Sequence, residues 1–233
     1  MDDLNDLDTL LAPARVFMHL DAADAAYETA RVVVVPVPFD GTTCYQPGTR
    51  EGPRAIIDAS RNLELYDTEL GFAPYRVGIH TLREVEVING DSEAMVNRVD
   101  RVTERLLDAG KWVLTLGGDH LVAIGAIRAH ARRHPGLSVL QFDAHADLRD
   151  EYEGARYSAA TVMRRTLEVC PRIAQVGIRS FSEPEAALVR ERNIPQFLAA
   201  TIHQRTASGS RDWIDAVLAA LGDEVYITFD IDC

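Results

Sequence analysis

The fold class follows from ten residues at positions 138–147, which read Ser-Val-Leu-Gln-Phe-Asp-Ala-His-Ala-Asp. The first five are mostly apolar, as in a strand that a parallel sheet buries on both faces. Asp143, His145 and Asp147 then recur with a period of two, so an extended chain directs their side chains to one side. The plainer interpretation of these three residues is an exposed polar loop. Because two buried carboxylates need a compensating cation, the preceding apolar run favours a metal site instead.

Strands and helices alternate along the rest of the chain. Apolar, β-branched segments predict further strands at residues 31–37, 111–116, 172–177, 194–198 and 225–231. One helix is expected to open at Pro53, and another to run from Asp91 or Ser92 to Ala109, with Gly110 as its stop. This order predicts an α/β protein with a mostly parallel sheet. The pattern alone does not distinguish an open sheet from a closed barrel, since both gather functional groups at the carboxyl ends of their strands.

Length and composition are those of one globular domain. The chain has 233 residues, of which 47% are hydrophobic and 26% charged, enough to bury a core unaided. Residues 1–30 are acidic and are expected to form a peripheral arm, and residues 31–233 the α/β domain. The arm has no apolar segment typical of a signal peptide, and three scattered cysteines predict no disulfide framework. A cytoplasmic location is therefore expected.

The net charge of −12 bears on the partners of the protein. There is no basic face for phosphates, so nucleic acid is not an expected partner. No apolar run reaches membrane-spanning length, so a membrane is not expected either. An acidic protein attracts small cations. Acidic surfaces also aid solubility, so the charge does not choose a substrate.

Two more clusters of metal-type ligands follow predicted strands. His120 comes after the paired glycines Gly117 and Gly118, a turn that is more often structural when it stands alone. Asp230 and Asp232 come directly after the apolar residues 225–229, and an Asp-x-Asp pair is by itself usually a solvated or capping feature. All three clusters follow the carboxyl ends of predicted strands, so one shared site is the better interpretation.

The three clusters supply four carboxylates and two imidazoles. Their members are His120, Asp143, His145, Asp147, Asp230 and Asp232. This set has too many oxygen ligands for one tetrahedral zinc. Oxygen-rich ligation that includes imidazole suits Mn²⁺, and a bridging carboxylate would let six residues hold two ions. Two such ions can deprotonate a shared water, so the residues predict a binuclear metallohydrolase.

The motifs resemble those of the ureohydrolase family, which includes arginases and agmatinases. Its signatures are similar to Gly-Gly-Asp-His (117–120), Phe-Asp-Ala-His-Ala-Asp-Leu-Arg (142–149) and Thr-Phe-Asp-Ile-Asp (228–232). The agmatinase branch is similar at Val-Pro-Phe-Asp-Gly-Thr-Thr (37–43), Pro-Gly-Thr-Arg-Glu-Gly-Pro-Arg-Ala-Ile (47–56) and Leu-Arg-Asp-Glu-Tyr-Glu-Gly (148–154). The resemblance implies a three-layer αβα fold with an open, mostly parallel central sheet. It also implies a homo-oligomer, commonly a trimer or hexamer.

The resemblance further implies two Mn²⁺ ions per subunit and assigns their ligands. One ion would be held by His120, Asp143, Asp147 and Asp230, and the other by Asp143, His145, Asp230 and Asp232. In such enzymes a metal-bridging hydroxide attacks a guanidinium carbon, and Asp147 would orient the hydroxide and take its proton. The expected reaction is hydrolysis of agmatine to putrescine and urea. Arginine, guanidinobutyrate and formimidoylglutamate remain alternative substrates.

The sequence departs from the family pattern in two places. Ala159 stands where agmatinases usually carry a histidine that helps to move a proton towards the leaving amine. The chain ends at Cys233, where relatives continue, so we expect a fragment whose sheet is incomplete beside the strand of Asp230. The alternative function is a catalytically silent, metal-binding homologue that acts as a structural or regulatory partner. A phosphoesterase and a zinc deacetylase fit the motifs less well.

Overall fold

A computed structural model describes residues 15–233 of the protein. The first fourteen residues of the predicted acidic arm lie outside the described residues. The rest of the arm packs on the domain: the backbone amide of Ile79 donates to the carbonyl of Asp24 over 2.9 Å, and Ala30 is buried. The division at residue 30 stays a prediction.

Within residues 15–233, seven strands carry the fold. They are β1 (Val32–Val37), β2 (Ile79–Thr81), β3 (Trp112–Gly117), β4 (Ser138–Phe142), β5 (Ile173–Ile178), β6 (Gln196–Leu198) and β7 (Val225–Phe229). All but β2 were expected from apolar runs. β2 has only three residues and includes His80, so it lacks an apolar pattern.

In the described part of the chain, seven α-helices lie between the strands. They are α1 (Gly52–Ser60), α2 (Ser92–Asp108), α3 (Val122–Arg133), α4 (Val162–Thr166), α5 (Glu183–Arg192), α6 (Ala199–Ala207) and α7 (Asp212–Ala220). The expected limits of α2 are confirmed. The Asp91 carboxylate accepts a hydrogen bond from the Ala94 amide over 2.8 Å as the N-cap, and Gly110 follows the helix with a φ of 71°.

The strands form two parallel sheets, in the orders β2-β1-β3 and β6-β5-β4-β7. Every strand pair is parallel, which confirms the α/β fold with parallel strands but divides it between two sheets. β3 and β7 are edge strands, because β3 pairs with β1 and β7 pairs with β4. Apolar side chains on these edges, such as Trp112 and Phe229, are exposed.

Helices cover both faces of the second sheet. Val139 and Ile173 belong to the main core, which also holds Met95 of α2 and Ile124 of α3. The alternate residues of the same strands, among them Leu140, lie on the opposite face in a smaller core with residues of α6 and α7. This alternation follows from the period of two in a strand. None of the helices that the structure describes is long and apolar enough to cross a lipid bilayer.

Candidate metal centre

The turn after β3 is packed too tightly for any residue but glycine at position 118. A Cβ atom on Gly118 would lie 2.0 Å from the carbonyl oxygen of Phe39. Two backbone hydrogen bonds join the loop after β3 to the loop after β1. The amide of Gly118 donates to the carbonyl of Val37 over 3.0 Å, and the amide of Asp119 donates to the carbonyl of Phe39 over 2.7 Å. The paired glycines thus bring the loop after β3 against the loop after β1 and present His120 at the carboxyl end of the sheet.

Asp119 fixes this junction but contributes no ligand. One of its carboxylate oxygens accepts from the amide and the hydroxyl of Thr42, both over 2.9 Å, and the other accepts from the Leu121 amide. Thr42 in turn accepts from the amide of Ala159 over 3.1 Å. The loops that carry Thr42, His120 and Ala159 therefore meet around one buried carboxylate.

The segment after β4 is held in an unusual conformation. Asp147 has a φ of 52°, in the left-handed region that non-glycine residues rarely occupy. Its carbonyl accepts hydrogen bonds from the amides of Met163 and Arg164, and the next amide, that of Leu148, donates to buried Glu185 over 3.0 Å. Backbone strain of this kind persists only where surrounding contacts over-determine it, and such sites are often functional.

The first ligand group consists of His120, Asp143 and Asp147. The Nδ1 atom of His120 lies 2.7 Å from Asp147 Oδ2 and 3.2 Å from Asp143 Oδ2. On its other side, His120 Nε2 lies 2.8 Å from the hydroxyl of Thr228 on β7. Such a partner on the second nitrogen fixes the ring, as is common for histidines that bind metals.

The second ligand group consists of Asp143, His145 and Asp232. His145 Nδ1 lies 3.1 Å from Asp232 Oδ2 and 3.5 Å from Asp143 Oδ1. The Ala144 amide donates to Asp232 over 3.1 Å and ties β7 to the loop after β4. Asp143 belongs to both groups, with one oxygen towards each.

Asp230 lies beside the two groups, with its Oδ2 3.9 Å from His120 Nδ1. All six residues predicted from the sequence thus stand at the carboxyl ends of β3, β4 and β7. The structure places five of them in two groups that share Asp143. The assignment of individual ions, and of Asp230 as a second bridge, stays a prediction.

The donor set fits divalent cations. Among the ion pairs of residues 15–233, none joins these four carboxylates to a lysine or an arginine. Asp143 is almost completely buried, and Asp147 nearly so. Buried carboxylates without a lysine or arginine partner are costly, and oxygen-rich ligation with imidazole is the kind that Mn²⁺ accepts.

The pKa values show how the metal-free site shares its protons. Burial raises the pKa of Asp147 to about 6 and also raises the pKa of Asp230. Burial opposes the charge of His120, but its hydrogen bonds with Asp143 and Asp147 hold its pKa well above the usual value. Conversely, despite burial, contact with His120 lowers the pKa of Asp143. Protonated His120 is thus the cation that the carboxylates share, and metal binding must displace its proton.

The metal-free chain is expected to become more stable as the pH falls from about 8 to about 5.5, because its folded state binds more protons than its unfolded state. Above pH 6.5 the excess proton is on His120; below pH 6 it is on Asp119 and Asp147, whose pKa values burial raises from 3.8 to about 6. The raised pKa of Asp119 corresponds to a difference of about 3 kcal/mol in the free energy of unfolding between the protonated and the ionised carboxyl group. Urea denaturation in EDTA at several pH values measures this.

An Asp119→Asn variant provides the control for that measurement. It removes one of the raised carboxyl groups, so its free energy of unfolding should change less with pH below about 6. A wild-type chain whose metal-free stability increased with pH over the same range would contradict the proton assignment.

Three supporting residues were not predicted from the sequence. Thr228 precedes Asp230 by two positions, and Gln141 precedes Asp143 by two, so each shares a strand side with a candidate ligand. That period was the signal that could have found them. Glu185 carried no comparable signal, because it reaches Leu148 from a helix 37 residues away in sequence.

A parallel α/β fold with imidazole and carboxylate groups gathered at its strand ends is typical of metal-dependent hydrolases. The sequence model of the arginase family matches residues 30–233, so the chain belongs to that family. Within it, the chain is a ureohydrolase similar to the agmatinase branch, which confirms the resemblance drawn from the motifs.

Curated relatives and a solved structure place the chain within this family. The N(1)-aminopropylagmatine ureohydrolase of Thermus thermophilus is 42% identical over 209 residues, which cover 90% of this chain and 70% of the relative. The agmatinase of Bacillus anthracis is 31% identical over 210 residues, covering 89% and 69%. The crystal structure of agmatine ureohydrolase of Thermoplasma volcanium matches with a TM-score of 0.84 and 30% identity, covering 98% of this chain and 74% of that one.

Proposed function

We propose that this chain hydrolyses the guanidino group of a small cationic amine to release urea, using two Mn²⁺ ions. The observation that carries the proposal is the pair of ligand groups that share Asp143 at the ends of parallel strands. One ion would be held by His120, Asp143, Asp147 and Asp230. The other would be held by Asp143, His145, Asp230 and Asp232.

Divalent ions in such a site lower the pKa of water, which supplies a nucleophile near neutral pH. The protein residues complete the chemistry. Asp147 would orient the nucleophile and accept its proton. The surrounding carboxylates favour a cationic substrate. The contact of His120 Nε2 with the Thr228 hydroxyl would keep the imidazole oriented.

Agmatine is the substrate that we propose first, with putrescine as the second product. N(1)-aminopropylagmatine is the second candidate, because the Thermus thermophilus relative named for it is more similar to this chain than the Bacillus anthracis agmatinase is. Arginine and guanidinobutyrate carry a carboxylate, which the carboxylates of the ligand groups would repel.

A catalytically silent homologue is the competing proposal, and Ala159 is the observation that favours it. The alanine lies next to the site, since its amide donates to Thr42, which in turn donates to Asp119. A methyl group cannot relay a proton to the leaving amine. Such a chain would bind metal and serve as a structural or regulatory partner.

The purified chain, loaded with Mn²⁺ and then passed through a desalting column, is expected to retain two ions. Metal analysis measures the ion content, and a colorimetric assay measures urea from agmatine, N(1)-aminopropylagmatine, arginine and guanidinobutyrate. We expect urea from agmatine or its aminopropyl derivative and least from arginine. Two bound ions with no urea from any substrate would favour the silent homologue, and no bound metal would overturn both proposals.

We also propose a cytoplasmic homo-oligomer, a trimer or hexamer by family resemblance. The free thiols of Cys44, Cys170 and Cys233 agree with a reducing compartment. Exposed apolar side chains between α1 and β2, such as those of Tyr66 and Leu70, are of the kind that subunit interfaces cover. Light scattering of the purified chain tests the subunit number.

A further inference from the structure

Three glutamines lie side by side across three neighbouring strands. Gln141 of β4 is the register partner of Gln175 of β5, and Gln175 is the register partner of Gln196 of β6. The side chains of Gln141 and Gln175 are completely buried, and Gln196 is half-buried. A primary amide is expensive to bury unless all of its polar atoms are hydrogen-bonded, so a row of three requires a compensating arrangement.

The three amides form a chain with a single direction. Gln196 donates to the carbonyl oxygen of Gln175 over 2.9 Å, and Gln175 donates to the carbonyl oxygen of Gln141 over 2.5 Å. Gln141 then donates to Asp143 Oδ2 over 2.7 Å. Each donor therefore faces the candidate metal centre. Hydrogen bonds aligned in this way polarise and strengthen one another in a buried environment.

The second hydrogen of each inner amide holds the backbone of the ligand segment. Gln141 also donates to the carbonyl of His145 over 3.2 Å, and Gln175 donates to the carbonyl of Ala146 over 2.7 Å. The carbonyls of residues 145 and 146 immediately precede Asp147, whose φ is 52°. The row of glutamine amides thus contacts both the shared carboxylate of Asp143 and the strained turn at Asp147.

We propose that Gln141, Gln175 and Gln196 are positioning residues that orient the Asp143 carboxylate for two cations. Oδ2 of Asp143 is held by Gln141 and Oδ1 by the His145 amide over 2.7 Å, so the carboxylate plane is fixed from both ends. This role rests on the proposed function, because it concerns the affinity of the site for Mn²⁺. Partners of metal-ligating groups outside the ligand set commonly tune that affinity.

Gln175→Met is the decisive substitution, because Gln175 makes no contact with a ligand side chain yet lies between Gln141 and Gln196. Methionine matches its length and volume without its hydrogen bonds. We expect Mn²⁺ to bind about 10-fold more weakly, and about 100-fold more weakly in Gln141→Met. The electron paramagnetic resonance signal of free Mn²⁺ measures the dissociation constant. Thr103→Val is the matched control: it removes a buried hydroxyl in α2 that has no partner, and should leave affinity unchanged.

A second readout uses the metal-free chain. In wild-type protein the side-chain amide of Gln141 should exchange its hydrogens slowly in NMR spectra, and Gln175→Met should speed that exchange at least about 10-fold because the carbonyl oxygen of Gln141 loses its donor. Should Gln175→Met fail to fold, Gln196→Met is the substitute, since it alters the half-buried outer end. About threefold weaker Mn²⁺ binding and faster Gln141 exchange are expected there.

The outcomes separate this inference from the proposed function. Unchanged Mn²⁺ affinity in Gln175→Met and Gln141→Met, beside a wild type that binds two ions, overturns the positioning role alone. A lower melting temperature with unchanged affinity likewise overturns it, since that is the result of a merely structural role. A wild type that binds no Mn²⁺ overturns the proposed function. Fast exchange of the Gln141 amide in the wild type overturns the hydrogen-bonded row of glutamines, whether or not Mn²⁺ binds.

Discussion

Replacing Asp143 with asparagine is expected to weaken Mn²⁺ binding more than about 100-fold and to reduce urea release below detection. Asp143 is the residue that both ligand groups share. Asparagine keeps the size of the side chain but replaces one anionic oxygen with an NH₂ group, which cannot act as a ligand. One substitution therefore damages both halves of the site. Metal analysis after desalting and the urea assay measure the two effects.

Asp223→Asn is the matched control for this variant. Asp223 is an exposed aspartate just before β7, at the end of the strand opposite the candidate site. It should retain two ions and wild-type activity. If Asp143→Asn also retained two ions, Asp143 would not bridge them, and the division of the ligands would have to be revised.

The sequence predicted the fold well because its strands are buried. Segments such as residues 138–142 are mostly apolar, as expected of a parallel strand that is covered on both faces. The candidate ligands follow from the same reasoning, since three strands of one orientation must bring their carboxyl ends to one edge. Asp143, His145 and Asp147 could thus be grouped with Asp230 and Asp232, which lie more than 80 residues later in sequence.

Features that depend on pairing between distant strands could not be predicted in this way. The apolar pattern of β3 and β7 does not state which strands they neighbour, so the separation into two sheets appears only in the structure. The sequence does not show that Gln141, Gln175 and Gln196 are neighbours, because only the register of β4, β5 and β6 brings them side by side. For Gln175 and Gln196, polarity inside an apolar strand was the only local signal.

Asp147 shows the same limit at a single residue. Its place in the period of two after β4 predicts the direction of its side chain, but the observed φ of 52° departs from an extended strand. That conformation is imposed by α4, whose amides bind its carbonyl, and by Glu185 of α5, which binds the next amide. Local pattern therefore gave the correct side of the chain, whereas tertiary hydrogen bonds determined the final position.

Ala159→His is expected to raise the rate of urea release by about 100-fold, at the lower end of the range for general acid–base catalysis. Residue 159 begins a short 3₁₀ helix, Ala159–Thr161, that is capped by Ser158, and its amide donates to Thr42 beside the site. A histidine there can donate a proton to the leaving amine, which alanine cannot do. Steady-state kinetics with agmatine measures kcat, and its pH profile should gain a dependence near the histidine pKa of about 6.5.

Ala159→Gln separates proton transfer from polarity at that position. Glutamine is polar and similar in size to histidine but does not titrate, so its kcat should remain near that of the wild type. Equal gains from histidine and glutamine would point to hydrogen bonding with substrate rather than proton transfer. No gain from histidine in a chain that releases urea would mean that residue 159 does not limit the reaction. A chain that binds two ions and releases no urea with either residue would be better described as a silent homologue.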